Sequence, residues 1–414
     1  MRRIAVIGSG ISGLVSAYLL SERFAVSLFE ANDYLGGHTN TVSVGIAGEA
    51  YSIDTGFIVF NKKTYPNFCK LIDKLNIPIQ LSEMSFSYRS NSSGFEYNGH
   101  SLNTLFSDRW NLFKPGFYRF IKEIISFNAD AKKFLAEEES TEISIGEFLE
   151  RQQYSVQFIE CYLIPMVSAI WSKNKSDTLN CSAHFIFKFY ANHGLLDLYN
   201  RPPWYVIAQG SNSYIAPMIL KLKERIYLNT KIQTVTRKAN QVILKSDDDE
   251  FLFDCVVIAT HSNQALKLLA QPTEQEKNIL SAIKYTDNEV ILHTDTQIMP
   301  KRRLSWASWN YLDNGSSLPS LTYYMNRLQS IKSSTNFFVS MNLLGAIDPS
   351  KIIQSFKYAH PCLDLAAIKA QQQINSINGI NNTYYVGSYW GYGFHEDGVS
   401  SAINTCKLIG ERDV

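Results

Sequence analysis

Residues 4–30 leave the chain fewer folds than any other stretch. An apolar run, Ile4-Ala5-Val6-Ile7, leads into Gly8-Ser9-Gly10-Ile11-Ser12-Gly13. A helical pattern follows through Leu14, Ala17, Tyr18 and Leu20, and a second apolar run from Phe24 to Phe29 ends on Glu30. The order predicts strand, glycine turn, helix, strand and acid, the layout of a dinucleotide-binding unit. Gly8 serves the turn, Gly10 lets backbone approach a pyrophosphate, and Gly13 lets helix and sheet pack closely. The start of the helix then offers unpaired N–H groups and partial positive charge to the phosphates. Glu30, about 20 residues beyond Gly10, is spaced to accept both ribose hydroxyls, and its charge disfavours a 2′-phosphate.

Composition narrows the class. At 414 residues the chain is long enough for two domains, and 45% hydrophobic with 19% charged residues is an ordinary globular balance. The 39 basic and 38 acidic residues leave a net charge of +1, which gives no electrostatic footprint for nucleic acid. Six cysteines lie without metal-ligand spacing and read as reduced thiols, so a cytoplasmic protein without a metal site is expected. No apolar run reaches the roughly 18 residues of a membrane span. The aromatic share, 13%, suits either a large apolar pocket or a well-filled core.

Beyond Glu30-Ala31 comes a second glycine pair, Gly36-Gly37-His38-Thr39, and then a hairpin pattern leading to Asp54-Thr55-Gly56-Phe57. A second loop free to approach a cofactor suits one longer than a simple mononucleotide. From about residue 64 the rhythm changes. Residues 103–138 repeat Trp110, Phe113, Phe117, Phe120, Ile124 and Phe127 at three- and four-residue steps, which predicts one helix. Arg109, Lys114, Arg119 and Lys122 are interleaved, so an anionic membrane surface is one reading of this stretch and an amphipathic cap on the substrate domain the other. Residues 144–172 predict a helix pair kinked at Pro165. Short strands return between 226 and 260, and the end of the chain reads as a strand, Thr383–Gly387, with a terminal helix from Gly398.

The acid followed by a glycine pair resembles the flavin-containing amine oxidase superfamily, whose members carry Gly-Gly-Arg where this chain has Gly36-Gly37-His38. Longer stretches are similar to a bacterial FAD-dependent oxidoreductase subgroup associated with cyclopropane-fatty-acid synthases. They include residues 54–61, 165–171, 192–196, 292–295 and 306–311, and Gly391-Tyr392-Gly393-Phe394-His395-Glu396-Asp397-Gly398. The resemblance implies an α/β fold: a two-dinucleotide-binding-type (Rossmann-like) FAD domain from residues 1–63, 203–265 and 380–414. An α+β substrate domain from 64–202 and 266–379 would be interleaved with it. It also implies Thr55, Gly56 and Phe57 beside the flavin, Val235 backbone near the adenine, and Ala259-Thr260 closing over the nucleotide. Gly387, Asp397, Gly398 and Val399 would lie at the ring end, with the Gly398 N–H aimed at the flavin.

A lysine that many of these oxidases place near the flavin has no counterpart in residues 285–292, although Lys284 is adjacent. His395 is therefore the first candidate general base and His293 the second, with Tyr392 part of an aromatic wall. The expected activity is hydride abstraction from an apolar substrate, a fatty acyl chain or phospholipid. Amine oxidation is the alternative. A non-catalytic flavin-binding accessory to a cyclopropane-synthase-like methyltransferase is the alternative of another class. The expected location is cytoplasmic, or peripheral on the inner membrane face.

Overall fold

The computed structural model describes residues 1–46, 48–137 and 143–411. Its first strand, Arg3–Ile7, lies in the middle of a parallel five-stranded sheet. Ala25–Phe29 and then Ile226–Tyr227 continue the sheet on one side, Cys255–Ile258 and Thr383–Tyr385 on the other. Strands buried on both faces read as continuous apolar runs, and Val6, Val26 and Val257 are wholly buried. Sequence order reverses across the first strand, so the carboxyl end of Arg3–Ile7 opens on a topological switch point, where ligands of such sheets bind. The glycine turn stands there, followed by the helix Ile11–Leu20, which is almost entirely buried.

A second sheet of seven strands is built from residues 86–98 and 284–362. Its long members, Lys284–His293 and Ile352–Cys362, pair antiparallel along almost their whole length. A small sheet joins Phe60–Asn61 and Trp204–Ile207 to Ile79–Ser82, so the strand segments assigned above to different domains hydrogen-bond directly.

One helix expectation is corrected here and another is refined. The single helix expected over 103–138 is three pieces: Leu102–Leu105, a tight turn at Arg109–Phe113, and Pro115–Ala136. Pro115 disfavours helical backbone at Lys114, which is extended (φ −101°, ψ 106°), and opens the long helix instead. Glu138, the last residue of that stretch, lies outside the described residues. Around Pro165 the chain accommodates the missing N–H with a π-helical turn, Ile159–Leu163, before Ile164–Trp171. The carbonyl of Cys161, which a residue other than proline at 165 would bond, instead accepts the Tyr97 hydroxyl at 2.9 Å. No helix among the described residues is long and apolar enough to cross a membrane.

Candidate active site

The dinucleotide turn is held by backbone against backbone. Gly8 has φ +98° and donates its N–H to Phe29 O at 2.8 Å, locking turn to second strand. A Cβ on Gly13 would lie 1.9 Å from Gly8 O, so the helix packs on the turn at a distance only glycine allows. Gly10 differs: its backbone is ordinary (φ −60°, ψ 174°), and a Cβ there would meet nothing within 4 Å. Open space over the helix start is what a diphosphate requires. Ile11 and Ser12 open the helix beside the terminal helix; Ser9 is wholly buried. Glu30 accepts from Ser9 N at 2.9 Å, Ser9 Oγ at 2.5 Å and Asn32 N at 3.0 Å, so the acid is fixed behind the turn. Ala31 is exposed beside it.

The second glycine pair closes on the first. Gly36 donates to Ser9 O at 3.1 Å, and a Cβ on Gly37 would lie 3.2 Å from Gly10 Cα. His38 follows directly, and its Nε2 is buried without a protein partner. Phe57 N donates to His38 O at 2.8 Å and Thr55 N to Asn40 O at 2.9 Å, which lays Thr55-Gly56-Phe57 along the same loop. Asp54 fixes that loop from behind, accepting from Thr41 Oγ1 at 2.6 Å, Ser211 N at 2.8 Å and Gln329 Nε2 at 3.0 Å. Burial pushes its carboxyl up to about 6 against these bonds. Thr39 Oγ1 meets the Tyr214 hydroxyl at 2.5 Å, and that hydroxyl meets His395 Nε2 at 2.7 Å.

On the nucleotide side, Ala259 N donates to Ile7 O at 2.8 Å, and Thr260 Cγ2 lies 3.4 Å from a Cβ built on Gly8. Both border the turn. Val235 does not take the place expected of it: its carbonyl accepts Ala270 N–H at 3.1 Å and its side chain is wholly buried in core. The chain beside Glu30 is instead the preceding loop, where Thr230 N donates to Glu30 O at 2.9 Å. The shift is a few residues in a segment of short strands without a register signal.

The terminal helix begins at His395, three residues before its expected start. Gly398 N therefore donates to Phe394 O at 3.2 Å, and the first-turn amides without a carbonyl partner inside the helix are those of His395, Glu396 and Asp397. Gly398 serves packing: a Cβ would lie 2.8 Å from both Ile11 Cγ2 and Ser12 Oγ, bringing this helix onto the start of the first. Val399 is core, and Gly387 N donates to Ser401 Oγ at 3.3 Å. Asp397 accepts from Phe394 N at 2.8 Å, and burial pushes its carboxyl up to about 6.

The base candidates fare differently. His395 is stacked on Phe57 with ring centroids 3.6 Å apart, and burial pushes it down to about 3. A ring so placed is a weak base at neutral pH and serves as a neutral partner for Tyr214. His293 has both ring nitrogens engaged, with Ser340 Oγ at 2.8 Å and Asp295 N at 3.0 Å, so it is structural. Tyr392 is half-buried and tilted against Phe185 at 4.7 Å. Lys284 is exposed at the start of its strand.

Three groups were missed in the sequence. His261 and His360 converge on His38, whose ring centroid is 6.0 Å from His261, 5.7 Å from His360 and 4.7 Å from Tyr358. Burial first, and then the neighbouring His360, His261 and His395 rings, hold His38 well below its usual range. Burial pushes His261 and His360 down to about 4. Tyr358 and His360 are two apart on one strand and share a face; His261 directly follows Ala259-Thr260. Those spacings were the available signal. Among the described residues no cluster is placed to hold a metal ion.

A cleft of about 330 Å³ opens beside the C-terminal block, lined by Thr64, Tyr65, His193, Tyr392, Phe394 and Asp397 among others. Behind it stands a ring cluster: Trp171 on Phe189 at 4.6 Å and Phe189 on Phe394 at 5.0 Å.

A family model for flavin containing amine oxidoreductases matches residues 11–339. The chain belongs to that family. Its members are flavin-dependent, and FAD is the flavin that carries an adenosine diphosphate, the group that Glu30 and the open face of Gly10 would take. The residues fit that group: Gly10 and the first helix turn for the diphosphate, Glu30 for the ribose, and the unpartnered His38 Nε2 beside them. A 1-hydroxycarotenoid 3,4-desaturase from Flavobacterium sp. (strain P99-3) is 26% identical over 242 residues, 54% of this chain and 42% of that protein. The chain thus matches less than half the length of that relative. Cyclohexylamine oxidase from Brevibacterium oxydans IH-35A covers 99% of both chains at a TM-score of 0.70 and 13% identity. The CLA-producing fatty acid isomerase from P. acnes gives 0.68 and 15%, over 100% of this chain and 99% of that one. Likeness at these identities establishes the fold.

Proposed function

We propose that this oxidoreductase removes hydride from a C–H bond of a long apolar substrate, a fatty acyl chain or phospholipid, as a dehydrogenase or desaturase. The observation that carries the reading is the cleft wall. Its rings are packed on one another, and its two carboxylates are already engaged. Glu396 accepts from Asn67 N at 3.0 Å and Phe68 N at 2.9 Å, and Asp397 holds the Phe394 amide. Both acids of the lining are thus held by the protein's own amides rather than standing free for a substrate ammonium. The partial match to a carotenoid desaturase supports an apolar chain as the substrate class.

When bound, FAD supplies the hydride acceptor. The chain supplies the rest. Tyr392, Phe394 and the rings behind them exclude water and align an apolar chain. Asp397, pushed up to about 6, is the carboxyl of the lining able to hold a proton near neutral pH. Anaerobic mixing of the holoprotein with unsaturated and saturated acyl lipids, polyenes and primary amines tests the reading. Bleaching of the oxidised flavin by an acyl or polyene chain is expected. Bleaching by amines alone would establish amine oxidation, and bleaching by none would favour an accessory role.

A further inference from the structure

The broken helix at 102–125 presents a face that the fold itself does not use. Leu102, Trp110 and Phe113 are 77%, 72% and 78% exposed, and Leu112, Tyr118 and Ile125 are exposed with them. These side chains do not hang from a loose loop. Ser101 and Thr104 cap the first piece reciprocally, and Asp108 accepts the Trp110 N–H at 3.2 Å. Arg109 ties the pieces together through Phe106 O at 3.0 Å and Asn103 Oδ1 at 2.7 Å, and Tyr118 OH donates to Leu112 O at 3.0 Å. On the opposite side Phe117 and Phe120 pack against Phe95 and Tyr97, and Phe106 packs against Phe117. The aromatic residues of this stretch are therefore divided, one set inward and one set fixed in water.

Charge on the face is one-sided. Arg109, Lys114, Arg119 and Lys122 are exposed. The acids of the same stretch are engaged: Asp108 pairs with Arg302 at 3.3 Å, and Glu123 accepts from Ser155 N at 3.2 Å and from its hydroxyl and pairs with Arg119 at 3.3 Å, which leaves Arg109, Lys114 and Lys122 as the cations of the face. Protein interfaces deplete lysine at their centre, whereas tryptophan and phenylalanine ringed by lysine and arginine suit a lipid–water boundary with anionic headgroups. We propose that this face docks on an anionic lipid bilayer, with Trp110, Phe113 and Leu102 entering the interface and Arg109, Lys114 and Lys122 meeting lipid phosphates. The docking rests on this face alone. Its consequence for catalysis rests on the apolar-substrate reading: the helix Pro115–Ala136 packs on the helix Ala183–Asn192, and Asn192 and His193 line the cleft.

The test uses full-length holoprotein and flotation with phosphatidylglycerol-containing vesicles against pure phosphatidylcholine vesicles, at low and high salt. Flotation with the anionic vesicles, weakened by salt, is expected. The double variant Trp110→Glu with Phe113→Glu should lose vesicle affinity by more than about tenfold while keeping its FAD content and melting temperature, because both side chains are exposed. Brominated lipid should quench a tryptophan signal that is absent in Trp110→Phe. Equal flotation of the double variant, or none by the wild type at low salt, overturns the proposal. So does a lipid-free dimer that the variant dissociates, which would make a second copy the occupant. Wild-type flotation together with no flavin bleaching by detergent-dispersed acyl lipid would sink the substrate reading and leave the docking standing.

Discussion

The two ends of the cofactor region are crowded in different ways. At the dinucleotide turn, backbone meets backbone: Gly13 on Gly8, Gly37 on Gly10, Gly36 on Ser9. At the C-terminal block, ring meets ring: Phe57 on His395, Phe189 on Phe394, Phe185 on Tyr392. Backbone contacts demand one residue type at one position, whereas ring contacts accept many arrangements of similar volume. Function specific to one substrate is therefore expected at the ring-packed end, and the binding common to all substrates at the glycine end.

Substitutions at the two ends should separate stability from cofactor retention. Phe189→Ala removes a ring that is 3% exposed and packed on four others, and should cost about 3–5 kcal/mol in denaturant unfolding, the largest effect here. Gly13→Ala forces a methyl into the Gly8 carbonyl and should cost about 1–3 kcal/mol or more, with loss of bound FAD following the loss of fold. Glu30→Gln should weaken FAD about ten- to a hundredfold by fluorescence titration, the scale of one charge-assisted hydrogen bond. Equal FAD affinity in that variant would show that the ribose is held elsewhere.

The imidazoles predict a pH dependence that belongs to neither end alone. His261 and His360 sit at about 4 and His395 at about 3 in the folded chain, all lowered from 6.5, and His38 is lowered too. The unfolded chain therefore binds protons first as pH falls below about 6.5. Stability should drop by about 1.4 kcal/mol per pH unit for each such group until the folded values are reached. Asp54 and Asp397, raised to about 6, act in the opposite sense below that pH but are fewer. Melting temperatures of the FAD-free protein that do not fall between pH 6.5 and 5 would contradict this balance.

The same contrast explains what could be read from the chain. The glycine turn was legible because each contact depends on a missing side chain at a fixed spacing. The strand–turn–helix order around Gly8 and Gly13 is as the spacing requires. At the aromatic end the local stretch around Tyr392 and Phe394 was legible, but not the rings from distant residues that pack on it, such as Phe185 and Phe189. The partners of His38 come from residues 261, 358 and 360, and no local pattern pairs positions so far apart. Boundaries failed where a single residue decides them: Pro115 splits a helix that its periodicity makes continuous, and the terminal helix starts before its glycine rather than at it.

Gly10→Ala is the most direct measurement on this account. Its backbone angles suit alanine and its Cβ would meet no protein atom, so the FAD-free fold should melt as the wild type does. The account predicts stoichiometric FAD released from purified wild-type protein and a substoichiometric amount from the variant at unchanged apoprotein stability. Equal FAD content in the two would contradict it, because the open face of Gly10 would then not be where the diphosphate lies.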